Sequence, residues 1–182
     1  MLVPAISRKE DLLREFSKVI YSEGYFYYCG YAYCHELPKI EPQDNVFQWA
    51  VVNSETDKVV GYIAYRIDAI CDSVYNFGVY GFEKNNILLA RDLFAKLDEL
   101  ISTHRRIEWR CVSNNPVLKD YQKFCKKHKG HEAVLHQCCK SLDGSFVDDH
   151  VFEILSDERF VIKPEDVMDI DFGFEGTDGD IW

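Results

Sequence analysis

The stretch Ile107-Glu108-Trp109-Arg110-Cys111-Val112-Ser113-Asn114-Asn115-Pro116 decides how this chain is read. Its first five residues alternate apolar and polar side chains, the period of a half-buried strand. Ser113, Asn114 and Asn115 then offer the side-chain oxygens that cap helix N-termini. Pro116 suits a first helical turn, where its missing N–H removes no bond. The pattern predicts a strand over 107–112 and a helix over 116–128 that carries Tyr121. Asn114 at the strand mouth and Tyr121 two turns down the helix would set an amide and a phenol beside one cleft.

Working outward, Ser7 with Glu10 three residues later has capping-box spacing and predicts a helix to about residue 20, with Leu12, Leu13, Phe16, Val19 and Ile20 inward. An aromatic run follows, from Tyr25 to Tyr33, and then a loop holding Pro38 and Pro42. Residues 47–52, 59–67 and 74–82 read as three strands with short links, hence an antiparallel meander. Residues 86–102 carry Leu89, Ala90, Leu93, Phe94, Leu97, Leu100 and Ile101 at spacings of three and four, the apolar stripe of a helix. Beyond the 116–128 helix, residues 132–142 and 146–155 flank Asp143-Gly144, a hairpin signal. The expected fold class is α/β, a mixed and mostly antiparallel sheet flanked by helices.

Composition bounds the rest. With 47% hydrophobic and 29% charged residues over 182 positions, one globular domain with a sizeable core is expected. No run approaches the roughly 18 apolar residues that cross a bilayer, and the first ten residues lack the basic-then-apolar order of a secretory leader. Seven cysteines without framework spacing favour reduced thiols in a cytoplasmic protein. The net charge of −10 is uneven: from Ser141 onward thirteen acids face only Arg159 and Lys163. The first 140 residues are close to neutral, with eighteen acids and nineteen bases, so nucleic acid is not the expected partner. A domain over 1–156 and an acidic extension over 157–182 follow. That extension carries Phe160, Val161, Ile162, Val167, Met168, Phe172, Phe174 and Trp182. Packing on the domain, packing on a second subunit as a homodimer, and a solvated tail all stay open.

The set Asn114-x-x-Val117-x-x-x-Tyr121 resembles the Asn-x-x-Ala-x-x-x-Tyr pattern of the GCN5-related N-acetyltransferases, the GNAT superfamily, with Val117 in place of a small residue. The order of elements over about residues 5 to 155 is similar to that of the same superfamily. The resemblance implies acetyl-CoA as cosubstrate and direct attack by an amine on a small molecule or peptide. It implies Val79, Tyr80 and Gly81 against the pantetheine arm, and Asn114 on that arm or on the acceptor. It also implies Asn85, Asn86, Leu88, Ala90 and Arg91 around a diphosphate at a helix N-terminus, where orphan N–H groups and the dipole favour an anion. The phosphate motif Gln/Arg-x-x-Gly-x-Gly/Ala appears here as Asn85-x-x-Leu88-x-Ala90. Leu88 thus stands where a glycine would let phosphate reach the backbone.

Tyr121 is the candidate acid for the departing thiolate, because an ordinary phenol is protonated at neutral pH. Glu83, at the end of the third strand, is the candidate base. Tyrosines of the 25–33 run would wall the acceptor site. Cys125, His128, His131, His136, Cys138 and Cys139 offer metal-ligand types. However, the histidines straddle a helix end, and strand neighbours such as Cys138 and Cys139 should point to opposite faces, so no metal site is expected. The alternative function is a domain of the same fold that has lost catalysis and serves as a binding module.

Overall fold

The computed structural model describes residues 1–28, 36–83 and 86–156. Residues 29–35, Lys84 and Asn85, and the 157–182 extension lie outside the described residues, so part of the aromatic run and one expected diphosphate residue go with them. In chain order the elements are β1 (Leu2–Pro4), a 3-10 turn (Ala5–Arg8), α1 (Lys9–Val19), α2 (Glu23–Tyr28), β2 (Val46–Asn53), β3 (Lys58–Asp68) and β4 (Ser73–Gly81). Then come α3 (Ile87–Thr103), β5 (Arg106–Val112), α4 (Leu118–Lys127), β6 (His131–Lys140) and β7 (Phe146–Leu155). No helix among the described residues is long and apolar enough to cross a membrane.

The strands form one seven-stranded sheet in the order β1-β2-β3-β4-β5-β7-β6. Every neighbouring pair is antiparallel except β4 with β5. That exception follows from connection length: α3 lies between β4 and β5, and a helical crossover returns the chain in the same direction, whereas a short turn reverses it. The expected class, a mostly antiparallel mixed sheet between helices, is the one found.

Alternation along the strands splits the core in two. On one face Ile63, Tyr65, Val74, Phe77, Ile107 and Trp109 pack with Leu93, Leu97 and Leu100 of α3 and Tyr121 and Phe124 of α4. On the other, Ala50, Val52, Tyr62 and Tyr80 pack with Leu12 and Phe16 of α1 and Tyr25 of α2. Trp109 is 1% exposed and stacks on Phe152 of β7, with centroids 5.3 Å apart. Burying an aromatic side chain of this kind contributes roughly 1.5–3 kcal/mol. The two rings thereby tie the central strand to the hairpin.

Two local expectations are corrected. Ser7 does not cap α1; its hydroxyl donates to the Pro4 carbonyl at 2.7 Å inside the 3-10 turn, and α1 opens at Lys9 without a side-chain cap. Pro116 does not open α4, which begins two residues later at Leu118. Asn115 folds back instead, its Oδ1 accepting from Val117 N–H at 3.1 Å, a turn that competes with helix. The short edge strand β1 is an addition that the sequence did not announce. At three residues it is too brief for any periodicity to announce.

Candidate active site

The parallel pair β4–β5 comes apart half-way. Ser73, Val74 and Phe77 pair with Arg106, Ile107 and Trp109, with an irregularity before Phe77. Asn76, in that irregularity, has φ 52°, a left-handed conformation that Asn tolerates better than most residues. Beyond it β4 stays on β3 through Gly78↔Ala64, Val79↔Ile63, Tyr80↔Tyr62 and Gly81↔Gly61. β5 stays on β7 through Arg110↔Val151, Cys111↔His150 and Val112↔Asp149. The two strands therefore diverge while each keeps its outer neighbour, and the peptide groups of residues 78–81 that face β5 have no strand partner there.

The opening is a cleft of about 1080 Å³. Its walls are the diverging strands, with Tyr27 and Tyr28 of α2, Asn86, Ile87, Leu89 and Ala90 at the start of α3, Asn114 to Val117, and Asp120 and Tyr121 of α4 all contributing to the lining. The floor under α3 depends on two glycines. A Cβ on Gly81 would sit 2.7 Å from Leu89 Cδ2, and one on Gly61, its cross-strand partner, 2.6 Å from Leu89 Cδ1. A Cβ at either position would push the terminal methyls of Leu89 aside, so the first turn of α3 sits closest to the sheet over these side-chain-free positions.

Asn86 caps that helix: its Oδ1 accepts from Leu89 N–H at 3.0 Å. Its Nδ2 in turn donates to the Glu83 carboxylate at 2.9 Å. The amides of Ile87 and Leu88 precede the first intrahelical bond, from Ala90 N–H to the Asn86 carbonyl at 3.1 Å, the position at which a helix N-terminus meets an anion. Tyr121 is 5% exposed, set among Phe94, Trp109 and Phe152 with centroids 5.9, 5.8 and 6.0 Å away. Burial pushes its phenol well above the usual tyrosine range, and the nearby Cys111 adds to that, so it stays protonated at neutral pH. Burial, with the charge of Asp149, likewise pushes the Cys111 thiol up to about 12. A thiol that stays protonated is a poor nucleophile, which argues against an acyl-cysteine route.

Asp149 is the buried acid of this cleft. It is 1% exposed on β7, and burial raises its carboxyl above the ordinary value despite the opposing pull of Arg110. Its Oδ2 stands 2.5 Å from the Arg110 guanidinium as an ion pair, yet neither oxygen receives an aligned hydrogen bond among the described residues. Nothing in the sequence singles it out, since Asp148 and Asp149 are adjacent acids. The register Val112↔Asp149 is what turns the second one inward.

Of the residues expected at the site, Tyr121, Glu83, Val79, Tyr80, Gly81, Asn86, Ala90 and Asn114 line this cleft. Leu88 is half-buried and is not among the lining residues, while its neighbours Ile87 and Leu89 are. Arg91 turns away, its guanidinium 2.7 Å from Asp92, whose carboxylate also meets the Met1 amino group at 2.9 Å. Asn85 lies outside the described residues. Asn114 caps no helix; its Nδ2 donates to Tyr27 Oη at 3.2 Å. Within the aromatic run, Tyr27 and Tyr28 face the cleft, whereas Tyr25 is core, its hydroxyl donating to the Glu36 carbonyl at 2.5 Å. The expected opposition of Cys138 and Cys139 is overturned: their sulfurs lie 3.5 Å apart.

No family model matches the chain, and no curated protein does. Solved structures do. A GCN5-related N-acetyltransferase from Kribbella flavida superposes with a TM-score of 0.59 at 16% identity, covering 85% of this chain and 96% of that one. The microcin C7 self-immunity acetyltransferase MccE, in complex with acetyl-CoA and AMP, gives 0.56 at 13% identity, covering 84% and 89%. Against the ribosomal-protein-S5-alanine acetyltransferase from Vibrio fischeri the overlap is partial, 63% of each chain at 15% identity and a TM-score of 0.49. With its diverging β4 and β5, its α3 crossover and its β6–β7 hairpin, this chain shares the fold of the Kribbella flavida and MccE acetyltransferases.

Proposed function

We propose that this protein transfers an acetyl group from acetyl-CoA to the amine of a small molecule or peptide. The divergence of β4 from β5 after Phe77 and Trp109 carries the reading, because it opens an unpaired backbone edge toward the α3 N-terminus on one side and toward Tyr121 on the other. When bound, acetyl-CoA supplies an activated thioester. Val79 to Gly81 hold the pantetheine arm by strand-like hydrogen bonds and so align the thioester carbonyl. The amides of Ile87 and Leu88 meet the diphosphate. Tyr27, Tyr28 and Asn114 enclose the acceptor.

Asp149 takes the proton from the attacking amine, a role suited to a carboxyl raised toward the working pH. As the N–C bond forms and the C–S bond breaks, Tyr121 gives its proton to the departing sulfur and regains one from solvent. One proton thus passes from nitrogen to sulfur overall. Glu83 is assigned a different part from the base first expected of it: it is exposed and tied to Asn86, and it guards the α3 N-terminus.

That same carboxylate favours a second reading, a non-catalytic binding module. Among the described residues no cationic side chain lines the α3 end of the cleft, and Glu83 stands there with negative charge. Calorimetric titration with acetyl-CoA and with CoA separates the two. The transferase reading expects a Kd in the micromolar range. Absence of heat and of thermal stabilisation at millimolar ligand would leave the binding module.

A further inference from the structure

A bulge in β6 brings two neighbouring cysteines together. Gln137 takes φ 50°, and the β6–β7 register slips between Leu135 and Cys139. Adjacent strand residues ordinarily point to opposite faces, but here the Cys138 and Cys139 sulfurs are 3.5 Å apart. On β7, Asp149 completes a triangle, its carboxylate and the two sulfurs all lying within 4.8 Å of one another. Asp149 is the buried acid whose oxygens lack an aligned hydrogen bond among the described residues. The Arg110 ion pair meets Oδ2 at 2.5 Å, whereas Oδ1 has no hydrogen-bond partner among the described residues and keeps lone pairs for a cation.

We propose that Cys138, Cys139 and Asp149 bind a thiophilic divalent cation, with Zn²⁺ the best match. Zn–S bonds of about 2.3 Å at tetrahedral angles place two sulfurs about 3.8 Å apart. The separation already present is 3.5 Å, so only a small adjustment is needed. Two thiolates and one carboxylate make a three-ligand set of the kind that leaves a fourth position for water. Sulfur donors disfavour Mg²⁺ and Ca²⁺, which take oxygen ligands. Cys138 is exposed and gives an entry from solvent, while Cys139 and Asp149 are buried and set the inner side of the site. Arg110, beside Asp149, offsets part of the negative charge that gathers when the thiols ionise. Binding releases up to two thiol protons, so affinity rises with pH. A cation on Asp149 would also compete with the amine proton; that consequence rests on the transferase reading, whereas cation binding does not.

The test uses the full chain, reduced and stripped of metal with a chelator, and titrated with Zn²⁺ alone by calorimetry. Co²⁺ serves as an optical probe, because thiolate-to-cobalt charge-transfer bands report sulfur ligation. One site per chain with those bands is expected. Cys138→Ser and Cys139→Ser should each weaken Zn²⁺ by roughly 100-fold, and Asp149→Asn by roughly tenfold. A chain carrying alanine at His128, His131 and His136 should bind as before. Cys138→Ser is the decisive variant, since that side chain is exposed and its loss leaves the core intact. The proposal is overturned if folded Cys138→Ser binds Zn²⁺ like the parent, if binding follows the histidines, or if no site appears at 100-fold excess over protein. Failure to bind acetyl-CoA would leave all of these outcomes unchanged.

Discussion

Asn114 reaches across the mouth of the cleft to Tyr27, its side-chain amide donating to the phenol oxygen at 3.2 Å. The same hydroxyl donates to Glu23 at 2.9 Å and bonds Ser141, so one oxygen joins α2, the loop after β5 and the end of the β6–β7 hairpin. A phenol has one donor and two acceptor positions, and these three partners use them all. Tyr27→Phe should therefore loosen the rim without touching the core. A loss of about 1 kcal/mol is expected, near the net worth of one hydrogen bond. Faster amide exchange should be confined to residues 113–115 and 141–145. Unchanged exchange there would show that the latch has no mechanical part.

Gly81 and Leu89 make a second checkable pair. Gly81→Ala drives a methyl to 2.7 Å from Leu89 Cδ2 and should cost about 1–3 kcal/mol through overpacking. Leu89→Ala should cost stability alone but relieve the clash when combined with it. A double-mutant cycle on urea midpoints reads the coupling, and additive losses would mean that α3 does not rest on this contact.

Tyr121→Phe keeps the ring among Phe94, Trp109 and Phe152 while removing the acid proton. On the transferase reading kcat should fall by about 10²-fold or more with acetyl-CoA affinity little changed. Full activity in the variant would assign the proton to water or to another group.

Asp149 sets the sign of a pH dependence. Burial holds its carboxyl above the ordinary value, so the native state keeps that proton more tightly than the unfolded chain does. The stability so contributed is present below the unfolded pKa and is lost as pH rises through the native one. Asp149→Asn has no proton to lose. The parent's urea midpoint, relative to that of the variant, should accordingly fall as pH rises above about 4. A flat difference, or one of opposite slope, would refute a raised carboxyl.

Long amphipathic segments were legible because local periodicity and burial agree over many residues: α3, the meander from Val46 to Gly81, and the hairpin at Asp143-Gly144 lie within a residue or two of their expected bounds. The N-terminus of α4 was misplaced because Asn115 turns the backbone before Pro116, a contest between two local hydrogen bonds that composition does not resolve.

The sequence by itself determined the longer strands and helices and their order, since strand and helix periods are carried by each segment alone, whereas β1 and α2 are too short to carry one. Contacts between residues far apart in the chain decided the rest. The Asn76 irregularity opens the cleft, the β5–β7 register turns Asp149 inward and not Asp148, and the Gln137 bulge sets the Cys138 and Cys139 sulfurs side by side. A one-residue shift in strand pairing reverses which side chains face inward, and only the assembled sheet specifies that shift.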